Sequence, residues 1–553
     1  MSIKRFLCPA ILFATLCHPA ARAASPQPAP GSCLEELRRL AGRGERQQAA
    51  QHLKSCLAAD PQATETGLSL ARYCLEQNLS ELALTAADEV LRRDLENREA
   101  FSLAIRACLQ LGREKRALAY WQSLGWPKMS RMEVTSRART DRNRIAEEVG
   151  LLQDDPVSLP ALQAGEWNLL QHKNIRGVRF VPRPDADMTR AVLDVQVDSQ
   201  NGFGDPFTFL TNTFSGIFDN SLRLTYWNWG QSGISVEGLF RRHEVSRLGQ
   251  FELSSPRLFR RILYSRITYS WRDEDWRLWA SPDTLPNRFR LRRHDLTPSI
   301  LIPIRSPYLA VRLEGNYRWR AFQAEKNSAS GGTTWQTEGF RNQSAAEIPH
   351  RVFWLRVSPS SQWMRREFQS GAAFTSTLQL SLEKGWMFQP GRDTASRASF
   401  STRNLWIFPT WKGRSTSLQV DGHAGALSNP GPVEDHFLLG TGIYADYLLR
   451  AHPLFSHYQY GRSPALRKFL LGNLTASRDL FSWHGVVADA SGFLDAARNR
   501  SSYPGQYVPR TLLDTGFGLG FRLGEHSPLR VTVAYGHDWR ENKNVFYFTT
   551  RFR

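Results

Sequence analysis

After the first two dozen positions the chain has no uninterrupted apolar run of the ~20 residues that a membrane-spanning helix needs, so any later crossing of a bilayer must be made by strands. Cysteine is absent beyond Cys108, which excludes disulfide stapling and Cys-based metal sites from the last four-fifths of the chain. No G-x-S-x-G elbow, H-E-x-x-H helix or G-x-x-x-x-G-K-[ST] loop occurs, and enzyme activity is therefore not expected. The 13 histidines are scattered. Asp435-His436 and Asp273-Glu274-Asp275 are short acidic clusters of the kind usually solvated on loops, and neither a metal nor a soluble cofactor is expected. Negative charge is in deficit: 71 Lys and Arg face 52 Asp and Glu, a net charge of +19. The arginines are spread along strand-like segments instead of clustered, so contact with anionic lipid headgroups, or a cation-lined lumen, fits better than nucleic acid.

What is present begins with an export signal. Lys4 and Arg5 precede an apolar stretch from Phe6 to Cys17 that runs into Ala21-Arg22-Ala23, so residues 1–23 are expected to be a removed signal peptide. Cys8 and Cys17 leave with it. Cys33, Cys56, Cys74 and Cys108 remain, an even number in an oxidising compartment, which favours disulfides. Four cysteines permit three pairings, of which Cys33–Cys56 with Cys74–Cys108 is the one expected here. The other end of the chain places Phe546, Phe548, Thr550 and Phe552 on one face of a strand, since strand side chains alternate. An exported chain that closes on a period-2 apolar face reads as the last strand of a transmembrane barrel, with Phe546, Phe548 and Phe552 as a C-terminal insertion signal. A hydrophobic content of 41% with a mean hydropathy of −0.42 suits a wall that alternates apolar-out with polar-in.

Between these ends lie three regions. Laying the chain on itself at an offset of 34 aligns Leu40, Cys74 and Cys108, then Gly44, Asn78 and Gly112, then Ala49, Ala83 and Ala117. Residues 33–126 accordingly resemble tetratricopeptide repeats, helix–turn–helix units whose concave face grips a peptide or partner protein. Residues 130–198 read as strand, two helices and two strands: Glu133–Ser136, a helix capped at Thr140 or Asp141, a helix from Pro160 to about His172, then Gly177–Val181 and Ala191–Val197. Residues 205–553 alternate strand-like segments with turns, about sixteen strands if the count is even, as bacterial single-chain barrels require. The Asn228-Trp229-Gly230-Gln231-Ser232-Gly233 stretch marks a hairpin. Trp residues near strand ends suit interfacial girdles.

The β-α-α-β-β order, with Asp155-Pro156-Val157-Ser158, Asn174-Ile175-Arg176-Gly177-Val178 and Leu193-Asp194-Val195-Gln196-Val197-Asp198 at its junctions, resembles a POTRA domain. With the barrel behind it, the chain resembles the bacterial surface antigen superfamily of outer-membrane assembly and translocation proteins. That resemblance implies periplasmic N-terminal domains, a client strand added to a sheet edge, and an Arg-bearing loop tip that folds back into the lumen to pair with a strand Asp. Leu449-Arg450-Ala451-His452-Pro453 matches the tip, with Ala451 and His452 where the family carries Gly and an aromatic residue. Gly492-Phe493-Leu494-Asp495-Ala496 matches the Asp strand, and Leu513-Asp514-Thr515-Gly516-Phe517-Gly518 the Gly-rich strand after it. Carried over, Arg450 is the loop anchor and Asp495 its partner, with Asp489 the second choice. The implied function is insertion or translocation of unfolded client proteins at the outer membrane. Partners would be lipid, lipopolysaccharide and, at the repeats, an accessory protein. An exporter of anionic polysaccharide and a surface-lipoprotein translocator, both with repeats before a barrel, are the alternatives.

Overall fold

The computed structural model describes residues 35–552, except for single positions and intervals at many connections, of which 325–350 is the longest. The expected signal peptide and Cys33 lie outside the described residues. The chain divides into two compact units, Met1–Gly125 and Trp126–Arg553.

The first unit is helical: α1 (Arg46–Ala59), α2 (Ala63–Glu76), α3 (Ser80–Arg93), α4 (Arg98–Gln110) and α5 (Glu114–Leu124). Asn97 caps α4 by accepting from the Ala100 amide at 3.0 Å, satisfying one of the orphan donors of a helix start. Gly112 (φ +66°) and Asn78 (φ +56°) take the left-handed conformation at the turns, which Gly and Asn tolerate best. Ala83, Ala86, Ala104, Ala107 and Ala117 are fully buried where helices meet, so backbones approach closely. The spacing also explains a failed expectation. Cys74 and Cys108 are free, buried thiols, not a disulfide. They occupy equivalent positions one period of 34 apart, on α2 and α4, and equivalent positions of successive repeats face the same way instead of facing each other, the wrong geometry for a bond needing Cβ atoms ~3.8 Å apart. Burial pushes each thiol up to about 12. Cys56 is disulfide-bonded.

The second unit opens with β1 (Lys128–Ser136), α6 (Arg142–Val149), α7 (Leu159–Leu170), β2 (Ile175–Pro184) and β3 (Arg190–Ser199). β3 is central, parallel to β1 and antiparallel to β2. Asp141 caps α6 and Ser158 caps α7, accepting from the Asn143 and Ala161 amides, and Gly150 (φ +72°) ends α6. Ile145, Val149, Leu162, Leu169, Leu193 and Val195 form the core between helices and sheet.

The remainder is one large antiparallel sheet. Its strands are β4 (Ser221–Trp229), β5 (Ile234–Arg242), β6 (Ser246–Ser255), β7 (Tyr264–Leu278), β8 (Asn287–Arg305), β9 (Leu309–Ala324), β10 (Arg351–Arg366), β11 (Ala373–Met387), β12 (Thr394–Pro409) and β13 (Ser415–Ser428), then, after four short segments, β18 (Ala465–Trp483), β19 (Val486–Ser502), β20 (Thr511–Leu523), β21 (Leu529–Asp538) and β22 (Lys543–Phe552). Each pairs with the next in chain order, β13 with β18. The strands follow the order of a barrel, and among the described residues no residue-by-residue ladder joins β4 to β22.

Fifteen wall strands are described, one short of the expected sixteen. Arg144 donates to the Ser232 carbonyl and Arg257 pairs with Glu147 at 2.7 Å, so the α/β domain sits at the end of the wall that carries the β4–β5 and β6–β7 turns. Ser221, the start of β4, is at the opposite end.

A buried polar knot fixes the α/β domain to the wall. Glu148 on α6, with no exposed surface, accepts from Arg257 Nε at 3.2 Å and Tyr264 Oη at 3.3 Å, with His172 Nε2 3.3 Å away. Lys173 bridges Glu237 and Glu252 on β5 and β6 at 3.0 and 2.6 Å. Removing Arg257 would leave the buried Glu148 carboxylate without its guanidinium, so the contact is costly to half-break.

Candidate functional site: an inward segment on a carboxylate row

Strand alternation gives the wall two chemically different faces. On β19 and β20, Leu494, Leu513, Phe517 and Leu519 are exposed on one side, and Asp495 and Asp514 are fully buried on the other. β9 and β10 repeat the pattern, with Leu313, Leu355 and Val357 outside and Arg318, Arg320 and Arg356 inside.

The connection from β13 to β18 runs along the polar face. It contains β14 (Phe437–Thr441), β15 (Tyr447–Pro453), β16 (Phe455–Ser456) and β17 (Gln459–Tyr460). Asp435 at its start bonds Arg318 at 2.7 Å and Arg320 at 3.1 Å on β9. Asp446 bonds Arg397 on β12 at 2.9 Å, and that guanidinium lies 4.1 Å over the Phe437 ring. Tyr460 pairs with Trp276 of β7. A single connection that meets β7, β9, β12 and β18–β21 requires the sheet to wrap around it.

The tip is held by a row of side chains across the wall. Strand register sets Asp421, Asn473, Asp495, Asp514 and Asp538 directly opposite one another on β13, β18, β19, β20 and β21. Like charges on neighbouring strands repel, so three adjacent carboxylates need compensation from elsewhere. The tip supplies it. Arg450 donates through Nε to both Asp495 oxygens at 3.1 and 2.9 Å and through Nη2 to Oδ1, the fork geometry that only Arg provides. Its Nη1 donates to Thr475 Oγ1 at 2.8 Å and its Nη2 to the Leu474 carbonyl at 3.2 Å, with the guanidinium 4.0 Å over the Phe493 ring. The Arg450 amide donates to Asp495 at 2.9 Å, and the Ala451 amide to Asp514 at 2.7 Å. His452 lies with Nδ1 3.1 Å from Asp514 and Nε2 3.4 Å from Asp538. The donor atoms of His452, Asp514 and Asp538 lie within 4.8 Å of one another, close enough for a metal, but the imidazole already stands between the two carboxylates.

The structure thus brings Arg450 to Asp495. Asp489, the second choice, lies six residues along β19, opposite Gly520, and no bond from it to Arg450 occurs among the described residues. Asp514, Asp538 and His452 were not picked out as tip partners, and the signal that would find them is register, since the three Asp align only once the strand pairing is known. In the two acidic clusters Asp435 pairs with Arg318 and Arg320, and Asp273 with Arg290 at 2.6 Å. The lumen is also less cationic than the net charge suggests, since Arg356 meets Glu314 and Glu383 at 3.0 and 3.1 Å. Phe546 is 76% exposed on β22, and the side chains of Phe548 and Phe552 lie outside the described residues.

No family model matches the chain, and no curated protein matches it. Among solved structures it is similar to BamA from Haemophilus ducreyi lacking POTRA domains 1–3, at 12% identity over 77% of this chain and 84% of that one, with a TM-score of 0.41. It is similar to CdiB from Acinetobacter baumannii at 11% identity over 79% and 81%, TM-score 0.48. CdiB from Escherichia coli gives 14% identity over 77% and 75%, TM-score 0.47.

Proposed function

We propose that this chain is an outer-membrane barrel of the assembly and translocation type, with residues 33–126 as tetratricopeptide-like repeats and 130–198 as a POTRA-like domain in the periplasm, and 205–553 in the bilayer. The observation that carries the reading is Arg450 bound to Asp495 on the polar face of a wall whose other face is apolar. In water so large an exposed apolar surface marks an interaction site or an aggregation hazard; in lipid it is solvated, and the polar face becomes a lumen. The inward segment fills that lumen at rest. Its hold on the wall joins the charged contacts of the tip to those of Asp435 and Asp446 and to apolar packing of Phe437, Leu439 and Leu449 against Val352, Trp354 and Phe469, so a client that displaces it has to break all of these together.

Client handling follows from the parts. The repeats recruit the client or an accessory protein, and the edge strands β1 and β2 of the three-stranded sheet offer unpaired backbone groups for a client strand. The client then leaves through the lumen or between β4 and β22, while Phe546, Phe548 and Phe552 serve as the barrel's own insertion signal. Pairing of the inner arginines with carboxylates favours a protein client over an acidic polymer, because a conduit for polyanions needs unpaired positive charge.

The test is loss of the gene. Comparison of the outer-membrane and secreted proteomes with surface polysaccharide should show a small set of proteins depleted and polysaccharide unchanged. The opposite pattern would select the polysaccharide exporter, and loss of surface lipoproteins alone would select the lipoprotein translocator.

A further inference from the structure

The outer face of the wall holds a feature that client handling does not use. Across β12, β13, β18 and β19, the outward positions Gly422, Ala424, Gly472 and Ala496 are small, and Phe400 and Leu470 stand beside them at 39% and 47% exposure. The result is a predominantly apolar groove of about 480 Å³, a volume within the roughly 300–1,000 Å³ of small-ligand sites. A Cβ added at Gly472 would meet no atom within 4 Å, so the space over it is open.

One end of the groove is basic. Arg498 is the register partner of Leu470 and of Thr511, Lys468 lies two residues from Leu470 on the same face, and Arg500 two residues beyond Arg498; all three are exposed. Among the described residues no carboxylate pairs with any of these three, in contrast to the arginines of the polar face.

Their height follows from strand parity. β19 leaves the end that carries the α/β domain at Val486 and reaches Arg498 twelve residues later. At ~3.3 Å per residue that is about 40 Å along the strand, and with a tilt of ~40° about 30 Å along the membrane normal, the full hydrocarbon thickness. Resting on the membrane reading above, this sets the cations at the outer headgroup level and the groove in the acyl region beneath them.

We propose that the groove is a binding site for a phosphorylated glycolipid of the outer leaflet, with one acyl chain against Gly472 and Ala496 and a head phosphate on Lys468, Arg498 and Arg500. Charge complementarity selects the occupant: a zwitterionic or uncharged lipid would leave three cations unanswered, and a free anion would leave the groove empty.

The full chain, reconstituted in nanodiscs of phosphatidylcholine containing diphosphoryl lipid A, is examined by native mass spectrometry. The wild type should retain lipid A and not its dephosphorylated form. Gly472→Leu, which fills the groove without a clash, and the pair Lys468→Glu with Arg498→Glu should each cut retention at least tenfold while heat-modifiable mobility stays that of the folded barrel. Equal retention by both variants, equal retention of phosphatidylcholine, or displacement by inorganic phosphate alone would overturn the proposal. A wild type that does not fractionate with the outer membrane would overturn the membrane reading itself, which is a separate outcome.

Discussion

Replacing Arg450 with Ala removes the only side chain that forks onto Asp495. In the intact protein the Asp495 carboxylate accepts from Arg450 Nε and Nη2, from the Arg450 amide at 2.9 Å and from Asn473 Nδ2 at 2.8 Å. The amide and Asn473 survive the substitution, so the carboxylate is not stripped bare. Breaking a buried ion pair from one side costs ~3–5 kcal/mol, and the two remaining donors put this case at the lower end, about 3 kcal/mol. Loss of the bonds to Thr475 and Leu474 comes on top, partly offset because no buried cation remains. At ~1.4 kcal/mol per tenfold, the ratio of anchored to released tip should fall on the order of a hundredfold. The wall, held by its own ladders, should still form. The assay is chemical labelling of a cysteine introduced in place of Ala451 together with single-channel conductance, in Arg450→Ala, Asp495→Ala and the double variant. The double variant should be less damaged than the sum of the singles, by an interaction energy of ~1–3 kcal/mol. Wild-type labelling and conductance in both single variants would refute the anchor, as would strict additivity.

Thiol chemistry gives a second expectation. With Cys74 and Cys108 buried and pushed up to about 12, both stay protonated at pH 8, and thiolate gains on thiol only as pH approaches that value; the folded mature chain should resist alkylation at pH 8, and unfolding without reductant should expose two thiols, whereas none or four would contradict the assignment. Glu148→Ala should loosen the α/β domain, since Arg257, Tyr264 and His172 lose a shared buried partner, a cost of ~3–5 kcal/mol; faster proteolysis between Ser199 and Ser221 is the readout, and an unchanged digest would count against the knot. Gly516→Ala should nearly abolish heat-modifiable barrel in the outer membrane, because a Cβ there would lie 2.0 Å from the Tyr535 carbonyl oxygen, and Gly472→Ala should be silent; equal yields would show that the packing at Gly516 is wrong.

How far the residues alone carried this account depended on whether a feature is local. Alternation is local, so a wall of about sixteen strands was legible from the residues. β8 carries Arg290, Arg292, Arg293, Asp295, Pro298 and Pro303, which hide its period behind charge and proline, and Arg272–Asp275 interrupt the alternation of β7. The repeat period was legible at offset 34, but the pairing of Cys74 with Cys108 was not, because a repeat aligns positions without making them touch. The meeting of Arg450 and Asp495 came from an ordered series of motifs and not from spacing. The rest of the tip site, Asp514, Asp538 and His452, depends on the register of four strands, a non-local property that no single segment encodes.

The resting position of the inward segment can be read directly by a cross-link. A Cβ built on Gly536 lies 3.4 Å from the Ala451 Cβ, close to the ~3.8 Å that a disulfide prefers. The pair Ala451→Cys and Gly536→Cys should therefore bond in intact cells, giving a barrel with altered mobility on unreduced gels whose client handling is blocked until reductant is added. If instead the two introduced thiols stay unbonded under added oxidant, and the one replacing Ala451 is labelled from outside the cell, the segment does not occupy the lumen and the central claim falls.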